Sequence, residues 1–565
     1  MKTTLRFKEW TLFPILACAS VFSVQLFAAD TVMHNAFVYT VNEEQPTASA
    51  VAIENGKIVF VGGEDGIEPY IHSSTRVLDL DGQMLLPGFI DTHNHVFEGA
   101  SGVGGGCELS RDRRLDRQTR FLQACQRSIS GPGEWVIGYG HQLDTLLQNR
   151  PSANPRKILD EYFPDNPIII MEESSHSMLA NSKALALAGF DKNAENPQGG
   201  TLLFGKDNRP NGILFDNAGD IVMELAWNSL SDTFQASYDG LIAGMEAAVS
   251  NGITTIGDGR LYWKRGWYDV WQKALKDDEV IVRTSLRPWI YPDVDFDEQL
   301  AYLKTIQSSD ENDLLIVDQV KLYIDGVLHF GTAKVLAPYH ASWQKNLPYG
   351  LNYIEPDALP QLLSDLNTIG YGAHVHAIGD QGVRETLDAV ETARAAGAAE
   401  TIYSMTHLEL VDPSDYGRFA QLGVHADFQA GAAFFDNTNW ARFYVGREKA
   451  KRMMPMRKLY DTGANVTFSS DWTVNPLNPL VAIANSLRLR ESKGLPDIHE
   501  AIRAATINGA YALGLESVTG SIEIGKSADF VVLDRSILDA DSDQVEDAVV
   551  EMTMLQGELV FDGTQ

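Results

Sequence analysis

Two histidines at the end of an apolar run are the first residues in this chain whose types and spacing suggest chemistry. His93 and His95 lie at the end of the segment MLLPGFIDTHNHV, residues 84–96. Side chains alternate faces along a β-strand, so both imidazoles would point the same way, about 7 Å apart. Two such nitrogens form half of a site for zinc or a similar divalent metal. Alone, the pair is a weak signal, because structural histidines also produce it.

Four later residues lie at the ends of further strand-like runs and supply possible partners: Lys321, His376, His407 and Asp471. Each has a structural alternative when taken singly, as a surface lysine, a hydrogen-bonded core histidine or a helix cap. As an ordered set, they predict a site for a divalent metal. Such an ion lowers the pKa of a bound water, and an aspartate beside it can accept the proton.

Lys321 fits such a site only in a modified form, because an ammonium group beside a dication is repulsive. Carbamylation by carbon dioxide would make it N6-carboxylysine, an anion with two oxygens that can bridge two metals. The sequence therefore predicts a divalent metal cofactor, first of all zinc, with one or two ions.

The elements that must position these residues alternate between apolar strands and amphipathic helices such as 241–252 and 382–397. This alternation predicts an α/β fold, a (β/α)8 TIM-like barrel, in which loops at the carboxyl ends of the strands build the active site. The predicted strands are 85–91, 253–257, 281–288, 317–323, 371–376, 402–407, 421–426 and 465–470.

Three parts are predicted along the chain. Residues 1–28 form a signal peptide, 29–84 with 518–565 form a composite small β-sandwich, and 85–517 form the barrel. The two strand-rich ends would be poor cores alone, so they are expected to meet. The stretch at about 97–238, after barrel strand 1, is too long for one connection and is expected to be a large insertion over the mouth of the barrel.

The N-terminus shows the charged, apolar and small-residue order of a secretory signal, with Lys2 and Arg6 before the apolar stretch. Export to the periplasm or the medium is expected. A lipoprotein signal at Cys18 is the second alternative, and an uncleaved anchor is a third. In an oxidising compartment, Cys107 and Cys125 would form either one disulfide or two buried thiols.

Composition limits the partners. A hydrophobic content of 44% with 21% charged residues is ordinary for a soluble globular enzyme. The net charge of −31 argues against nucleic acid and, after signal cleavage, against anionic membrane surfaces. A small-molecule substrate is the expected partner.

The motifs PGFIDTHNH, VKLYIDG, HAIGD, THLEL and SSDW, followed by AIRAATINGAYALG and GSIEIGKSADFVVLD, resemble the amidohydrolase superfamily. The chain looks most like its amidohydrolase-3 branch, which includes enzymes similar to N-substituted formamide deformylase. The resemblance implies a metal-dependent barrel and favours a homodimer. It also implies roles for the candidates: His93 and His95 on a buried metal, Lys321 as a bridging carbamate, His376 and His407 on a second metal, and Asp471 as ligand and general base.

Two segments of the insertion, 174–190 and 199–216, resemble stretches that this branch carries beside its substrate pocket. By that resemblance, His176 is a candidate catalytic and substrate-binding residue, and Asn181 a candidate substrate contact. A lone histidine in an insertion can equally be structural. The chain departs from the family pattern at Asp216, where a glutamate is expected, and at Ser175, where an Asp-Gly pairing is usual. These departures concern substrate contacts and not the metal site.

The function predicted first is hydrolysis of a C–N bond, in an amide, N-formyl or cyclic amide group, by an exported enzyme. The alternative keeps the same site and changes the bond, to a lactone or other ester, or to a deamination. Fold analogy does not separate these, because one barrel hosts many chemistries. An exported binding protein without turnover is the third and weakest prediction.

Overall fold

The structure, a computed structural model, describes residues 29–100, 107–127, 129–148, 150 and 153–563. The predicted signal peptide, residues 1–28 with Cys18, lies outside the described residues. Among the residues described, no helix is long and apolar enough to cross a membrane. The described chain forms five sheets flanked by helices, which confirms the predicted mixed α/β class.

Two sheets of parallel strands carry the residues that are predicted to do chemistry. The first parallel sheet has, in spatial order, Leu315–Ile316, Arg283–Ser285, Ile253–Asp258 and Phe89–Asn94. The second parallel sheet has Gln319–Tyr323, Gly372–Ala377, Tyr403–His407, Val424–Phe428 and Val466–Phe468. Within the described residues these ladders are two sheets and not one closed barrel, so the barrel prediction is confirmed only at the level of its α/β class.

Short backbone contacts join the two parallel sheets. The Lys321 amide donates to the Pro288 carbonyl at 3.0 Å, and the Lys321 carbonyl accepts from the Ile290 amide at 3.0 Å. On the other side, the Asp471 amide donates to the His93 carbonyl at 2.8 Å. Residues from both sheets are therefore held side by side at the carboxyl ends of the strands.

Helices pack against these strands by their apolar stripes. In Asp380–Ala395, for example, Val383, Leu387 and Val390 are buried at helical spacing. Strands covered in this way are buried along their whole length, as in Gly372–Ala377. The main helices are Thr233–Val249, Trp267–Lys276, Phe296–Ile306, Leu359–Thr368, Asp380–Ala395, Tyr416–Leu422, Met456–Asp461, Pro479–Arg488, Ile498–Ala504 and Ile507–Leu513.

The two ends of the chain meet in one sheet. This end sheet has the order Glu558–Asp562, Val550–Leu555, Phe530–Leu533, Met84–Pro87, Phe37–Tyr39 and Thr47–Ala48. A four-stranded sheet packs beside it and has the order Lys57–Gly62, Ala50–Glu54, Thr31–His34 and Arg76–Asp79. Side chains from both sheets share one apolar core, which includes Val38, Ile53 and Phe530.

The predicted strand 85–91 is wrong as a single element. The structure divides it into Met84–Pro87 of the end sheet and Phe89–Asn94 of the first parallel sheet. Gly88 separates them, and a Cβ at this position would approach the Thr254 hydroxyl to 2.1 Å. Only glycine fits there, so the chain changes sheet without interrupting the apolar run that suggested one strand.

The stretch after Phe89–Asn94 folds around a five-stranded insertion sheet. Its order is Gly200–Phe204, Pro210–Asp216, Ser177–Ala180, Ile168–Met171 and Val136–Tyr139. The insertion's helices are Thr119–Gln126, Leu143–Leu147, Pro155–Tyr162, Ser182–Leu187 and Asn217–Trp227. Cys107 and Cys125 form a disulfide, with their Cα atoms 4.5 Å apart, which decides between the two sequence alternatives.

Candidate metal centre and active site

Three of the predicted ligands converge at the carboxyl end of the first strand. Asp471 Oδ1 lies 3.3 Å from His93 Nε2 and 3.1 Å from His95 Nε2. Ligand atoms of these three residues all lie within 4.8 Å of one another. Two imidazole nitrogens and a carboxylate oxygen form a donor set that suits zinc and related divalent ions. On its chemistry and spacing, this group fits a divalent metal.

His376 and His407 form a second imidazole pair beside this group. Their ring centroids are 4.5 Å apart, and the His407 centroid lies 5.2 Å from that of His93. Burial lowers the pKa of His376 well below its usual value and is also the main cause that lowers the pKa of His407, to about 3. Buried His376 Nδ1 has no hydrogen-bond partner among the described residues. Neutral rings with a free nitrogen are what metal binding requires.

Lys321 lies between the two groups and is fully buried. Its Nζ is 3.3 Å from His93 Nδ1 and 3.5 Å from His93 Nε2. Burial lowers the pKa of Lys321 well below its usual value, and the nearby Arg287 and Arg260 lower it further against the opposing effect of Asp471. This environment therefore favours the uncharged form of the amine.

The outer nitrogen of His95 is fixed by a carboxylate. His95 Nδ1 lies 2.7 Å from Glu98 Oε2, and the other Glu98 oxygen accepts a hydrogen bond from Arg260 Nη2 at 2.9 Å. Burial disfavours the charged form of both residues, but their attraction for each other outweighs it. With the help of Arg260, this attraction lowers the pKa of Glu98 to about 2. With the help of Asp471, it raises the pKa of His95 to about 9. Such a partner orients a metal-binding histidine.

The rings of His93 and His407 are also oriented by hydrogen bonds with buried side chains. His93 Nδ1 contacts His374 Nε2 at 2.8 Å, and His374 Nδ1 contacts the Ser404 hydroxyl at 2.7 Å. His407 Nδ1 contacts Gln429 Oε1 at 3.0 Å. Since both nitrogens of His374 are engaged, its role in the structure is to support His93.

A buried carboxylate network lies beneath these residues. Asp427 accepts hydrogen bonds on both oxygens, at 2.6 to 3.3 Å, from the side chains of Thr92, Thr406, Thr467, Ser469 and Gln429. Its donors come from four neighbouring strands or from the residues that follow them. The network therefore ties together the strand ends that carry the candidate ligands.

The insertion brings His176 to this centre. The His176 ring lies 5.0 Å from that of His376 and 5.8 Å from that of Tyr323. His176 Nδ1 lies 2.7 Å from Asp216 Oδ1, which also accepts a hydrogen bond from the Tyr353 hydroxyl at 3.2 Å. A residue from outside the two parallel sheets is thus placed beside the second imidazole pair.

Asn181, the other candidate from the insertion, is engaged in structure. Its Oδ1 accepts from the amides of Ile168 and Ala184, at 3.2 and 3.0 Å. Its Nδ2 donates to the carbonyls of Phe163 and Asn166, at 3.1 and 2.8 Å. The side chain caps a helix and is fully buried, which leaves no group for a substrate. We therefore give Asn181 no role in substrate binding.

Several site residues escaped the sequence analysis. Glu98 was within reach, since it follows His95 by three residues and can fold back onto it. Arg260 lies two residues beyond the Ile253–Asp258 strand, where the strand-end rule applies. Asp216 was noted only as a departure from the family pattern and not as a partner of His176. Tyr353 gave no local signal, because only the tertiary fold brings it to Asp216.

Comparisons with known proteins identify the family to which this chain is similar. The model of the Amidohydrolase family matches residues 76–561. Protein LONG AFTER FAR-RED 3 of Arabidopsis thaliana is 28% identical over 92% of this chain and 90% of its own length. N-substituted formamide deformylase of Arthrobacter pascens is 25% identical over 95% of this chain and 99% of its own length. These matches confirm the resemblance that the motifs indicated.

The fold also has relatives among solved structures. An uncharacterized metal-dependent hydrolase from Pyrococcus horikoshii OT3 superimposes with a TM-score of 0.69 at 21% identity. The match covers 91% of this chain and 99% of that one. At this identity, the likeness concerns the fold.

Proposed function

The chain belongs to the Amidohydrolase family and is a metal-dependent hydrolase of the amidohydrolase type; on that premise, we propose that it hydrolyses a C–N bond in an amide, N-formyl or cyclic amide group. The observation that carries the proposal is the convergence of His93, His95 and Asp471, with a second imidazole pair beside them. Water attack on an amide needs this combination of an electrophile site and a nearby base.

The metal ligands follow from the positions of the side chains. His93, His95 and Asp471 would hold one divalent ion, for which zinc fits the donor set best. His376 and His407 would hold a second ion, with Lys321 as N6-carboxylysine between the two. When bound, the metal acts as a Lewis acid that polarises the carbonyl and lowers the pKa of water. Burial favours the uncharged amine of Lys321, which is the form that adds carbon dioxide, and this supports the carbamate.

Asp471 would act as the general base. Burial raises its pKa, but the hydrogen bond to His95 and the positive charge of that ring outweigh this effect and lower it, so the carboxylate is ionised at neutral pH. It can take a proton from the attacking water and return it to the leaving amine, a role that contributes about 10²- to 10⁴-fold to rate. His176 would hydrogen-bond the scissile group of the substrate from the insertion side.

We further propose that the two parallel sheets are halves of one (β/α)8 barrel, spanning 85–517 with the insertion as a wall of its active site. The backbone hydrogen bonds at Lys321 and Asp471 support this arrangement. The end sheet, with its four-stranded neighbour, would be the composite β-sandwich.

We also propose that the protein is exported, acts on a small molecule and forms a homodimer. The residue order in 1–28 and the Cys107–Cys125 disulfide support an oxidising destination outside the cytoplasm. Mass spectrometry of the protein recovered from the periplasm or medium would identify the mature N-terminus. Sedimentation equilibrium would give the oligomeric state.

The test is a comparison of bonds in the purified mature protein. Formanilide, a five-membered cyclic amide and γ-butyrolactone are offered in parallel, and bound metal is measured by elemental analysis. We expect stoichiometric divalent metal, turnover of an amide, and loss of about 10²- to 10⁴-fold of kcat in Asp471→Asn. Asp539→Asn makes the same change at an exposed carboxylate and should keep full activity.

Three results would overturn the proposal in different ways. Faster turnover of the lactone than of either amide would favour the ester alternative. Absence of both metal and turnover would favour a binding protein. Unchanged hydrolysis in Asp471→Asn would exclude the assigned base.

A further inference from the structure

Asp216 is joined to His176 by more than one contact. The two residues lie at neighbouring ends of antiparallel strands, where Ser177 pairs with Phe215. The Asp216 amide donates to the His176 carbonyl at 2.9 Å, and the side chains meet between Nδ1 and Oδ1 at 2.7 Å. Backbone and side chain thus hold the imidazole to the same strand end, which leaves little freedom for the ring.

Asp216 has a backbone conformation that is unfavourable for an aspartate. Its backbone angles are φ 55° and ψ −136°, a combination that residues other than glycine rarely adopt. Its Oδ2 is buried and, in the part of the chain that the structure describes, has no hydrogen-bond partner. Strain and an unpaired buried oxygen at one residue are features that cluster at functional sites.

Asp216 is also contacted by residues that lie outside the insertion. The Tyr353 hydroxyl donates to Oδ1 at 3.2 Å, and the Tyr353 ring packs on Tyr323, which follows Lys321 by two residues. A Cβ on Gly326 would come within 2.7 Å of Oδ2, so the loop beyond Lys321 closes directly over the carboxylate. Asp216 is therefore held from both the insertion and the second parallel sheet.

The hydrogen bond to Asp216 determines which His176 nitrogen remains available. Nδ1 is engaged by the carboxylate, whereas Nε2 makes no hydrogen bond to any described residue. The ring packs beside His376 and Tyr323. A nitrogen that has no partner in the described part of the chain, on a ring fixed beside a candidate ligand, is placed to meet the substrate.

We propose that Asp216 is a positioning residue, which fixes the orientation of the His176 ring so that Nε2 hydrogen-bonds the scissile group of the substrate. This inference rests on the proposed hydrolysis, because it names how the insertion contributes to that reaction. Asp216 itself touches neither the substrate nor the metal ligands in this role. Tyr353 assists by holding the carboxylate oxygen that faces His176.

The first test is a double-mutant cycle on the zinc-loaded protein with the best amide substrate. Asp216→Asn is expected to lower kcat by roughly 10- to 100-fold, the usual effect of losing an orienting partner, with bound zinc unchanged. In a His176→Gln background, the same substitution should change kcat less than twofold, because its target is gone. Asp216→Glu, which keeps the carboxylate, should recover part of the rate. Equal losses in both backgrounds, or no loss in wild type, would overturn the proposal.

The second test does not depend on turnover. In protein labelled with ¹⁵N-histidine, the Nδ1 proton resonance of His176 is assigned by its absence in His176→Gln. Asp216→Asn should shift or remove this resonance, and an unchanged resonance would overturn the proposal. If Asp216→Asn does not fold, Tyr353→Phe replaces it in the experiment. This variant should shift the His176 resonance by a smaller amount, and an unchanged resonance would contradict the proposal. A wild-type protein that cleaves no amide would refute the proposed function, while this measurement would still decide the role of Asp216.

Discussion

Two buried aspartates, one beneath the candidate metal ligands and one in the insertion, differ in how their hydrogen-bonding capacity is used. Asp427 accepts side-chain hydrogen bonds on both oxygens. Asp216 has partners on Oδ1 only, and its Oδ2 is buried without one in the described structure. The first pattern indicates a carboxylate that organises its own surroundings. The second indicates one that is held in place for a neighbour.

Two fully buried histidines repeat this contrast. Both ring nitrogens of His374 are engaged, by His93 and Ser404. Both ring nitrogens of His141, which follows the Val136–Tyr139 strand of the insertion, lack a hydrogen-bond partner within the described residues. Leaving a buried polar group unpaired costs about 1–3 kcal/mol, so the two regions contribute very differently to stability. We infer that the strand ends are preorganised for chemistry. The insertion, in contrast, carries buried polar groups whose hydrogen-bonding capacity is not used within the described residues.

The largest expected effect comes from removing one of the candidate metal ligands. His95→Ala should abolish stoichiometric metal binding and lower kcat/KM by more than about 10³-fold, since the metal supplies several kcal/mol of charge stabilisation. Elemental analysis and initial rates measure both quantities. His34→Ala, a change of the same type in the four-stranded sheet beside the end sheet, should alter neither. Retention of metal and activity in His95→Ala would remove the basis for assigning the chemistry to this region.

A matched pair of substitutions tests the two histidines next. His374→Leu should weaken metal affinity by about 10- to 100-fold, because His93 loses the ring that orients it. His141→Leu should leave metal affinity unchanged and raise the midpoint of thermal unfolding or leave it level, since it removes a buried ring without partners. Competition with a chelator and calorimetry provide the measurements. Equal effects of the two changes on metal affinity would break the comparison.

The aspartates should differ in stability by a smaller amount. Asp427→Asn should lower the free energy of unfolding by about 2–4 kcal/mol. The amide nitrogen of asparagine donates and cannot accept the hydrogen bonds that the second carboxylate oxygen accepts. Asp216→Asn should cost less, since one oxygen of Asp216 has no partner to lose. Urea unfolding followed by fluorescence compares them. A loss in Asp216→Asn as large as that in Asp427→Asn would contradict the contrast.

The smallest expected effect is a pH dependence from Glu172, at the end of the Ile168–Met171 strand in the insertion. Burial raises its pKa from the usual 4.5 to about 7, against the hydrogen bonds from Ser174. Because the folded value is the higher one, unfolding releases a proton between these limits, and the stability from this group falls as pH rises from 4.5 to 7. Glu172→Gln should therefore reduce the pH dependence of the thermal unfolding midpoint over this range. Glu134→Gln, the same change at an exposed position, is the control.

The sequence predicted the strand-end residues because their signals are local. Apolar runs that end in His, Lys or Asp are readable without the fold, as at His407 and Asp471. The Gly88 switch was not readable, because the apolar pattern continues across it and the close Thr254 belongs to another strand. Asn181 was assigned by its nearness to His176 in a motif, but its neighbours in space are carbonyls and amides. Asp216 was visible in the sequence as a departure from the family pattern, but its contact with His176 follows only from the pairing of two strands.

The division at Gly88 has a consequence for how the chain acquires its site during synthesis. The segment Met84–Pro87 pairs with Phe530–Leu533, from the opposite end of the polypeptide, and runs through Gly88 directly into the strand that carries His93. This is a contact of very long sequence separation, and such contacts form late. A nascent chain that lacks its last strands can pair this segment only with Phe37–Tyr39, and its other edge stays open. The C-terminal strands are therefore needed to complete the pairing of the segment that leads into the His93 strand.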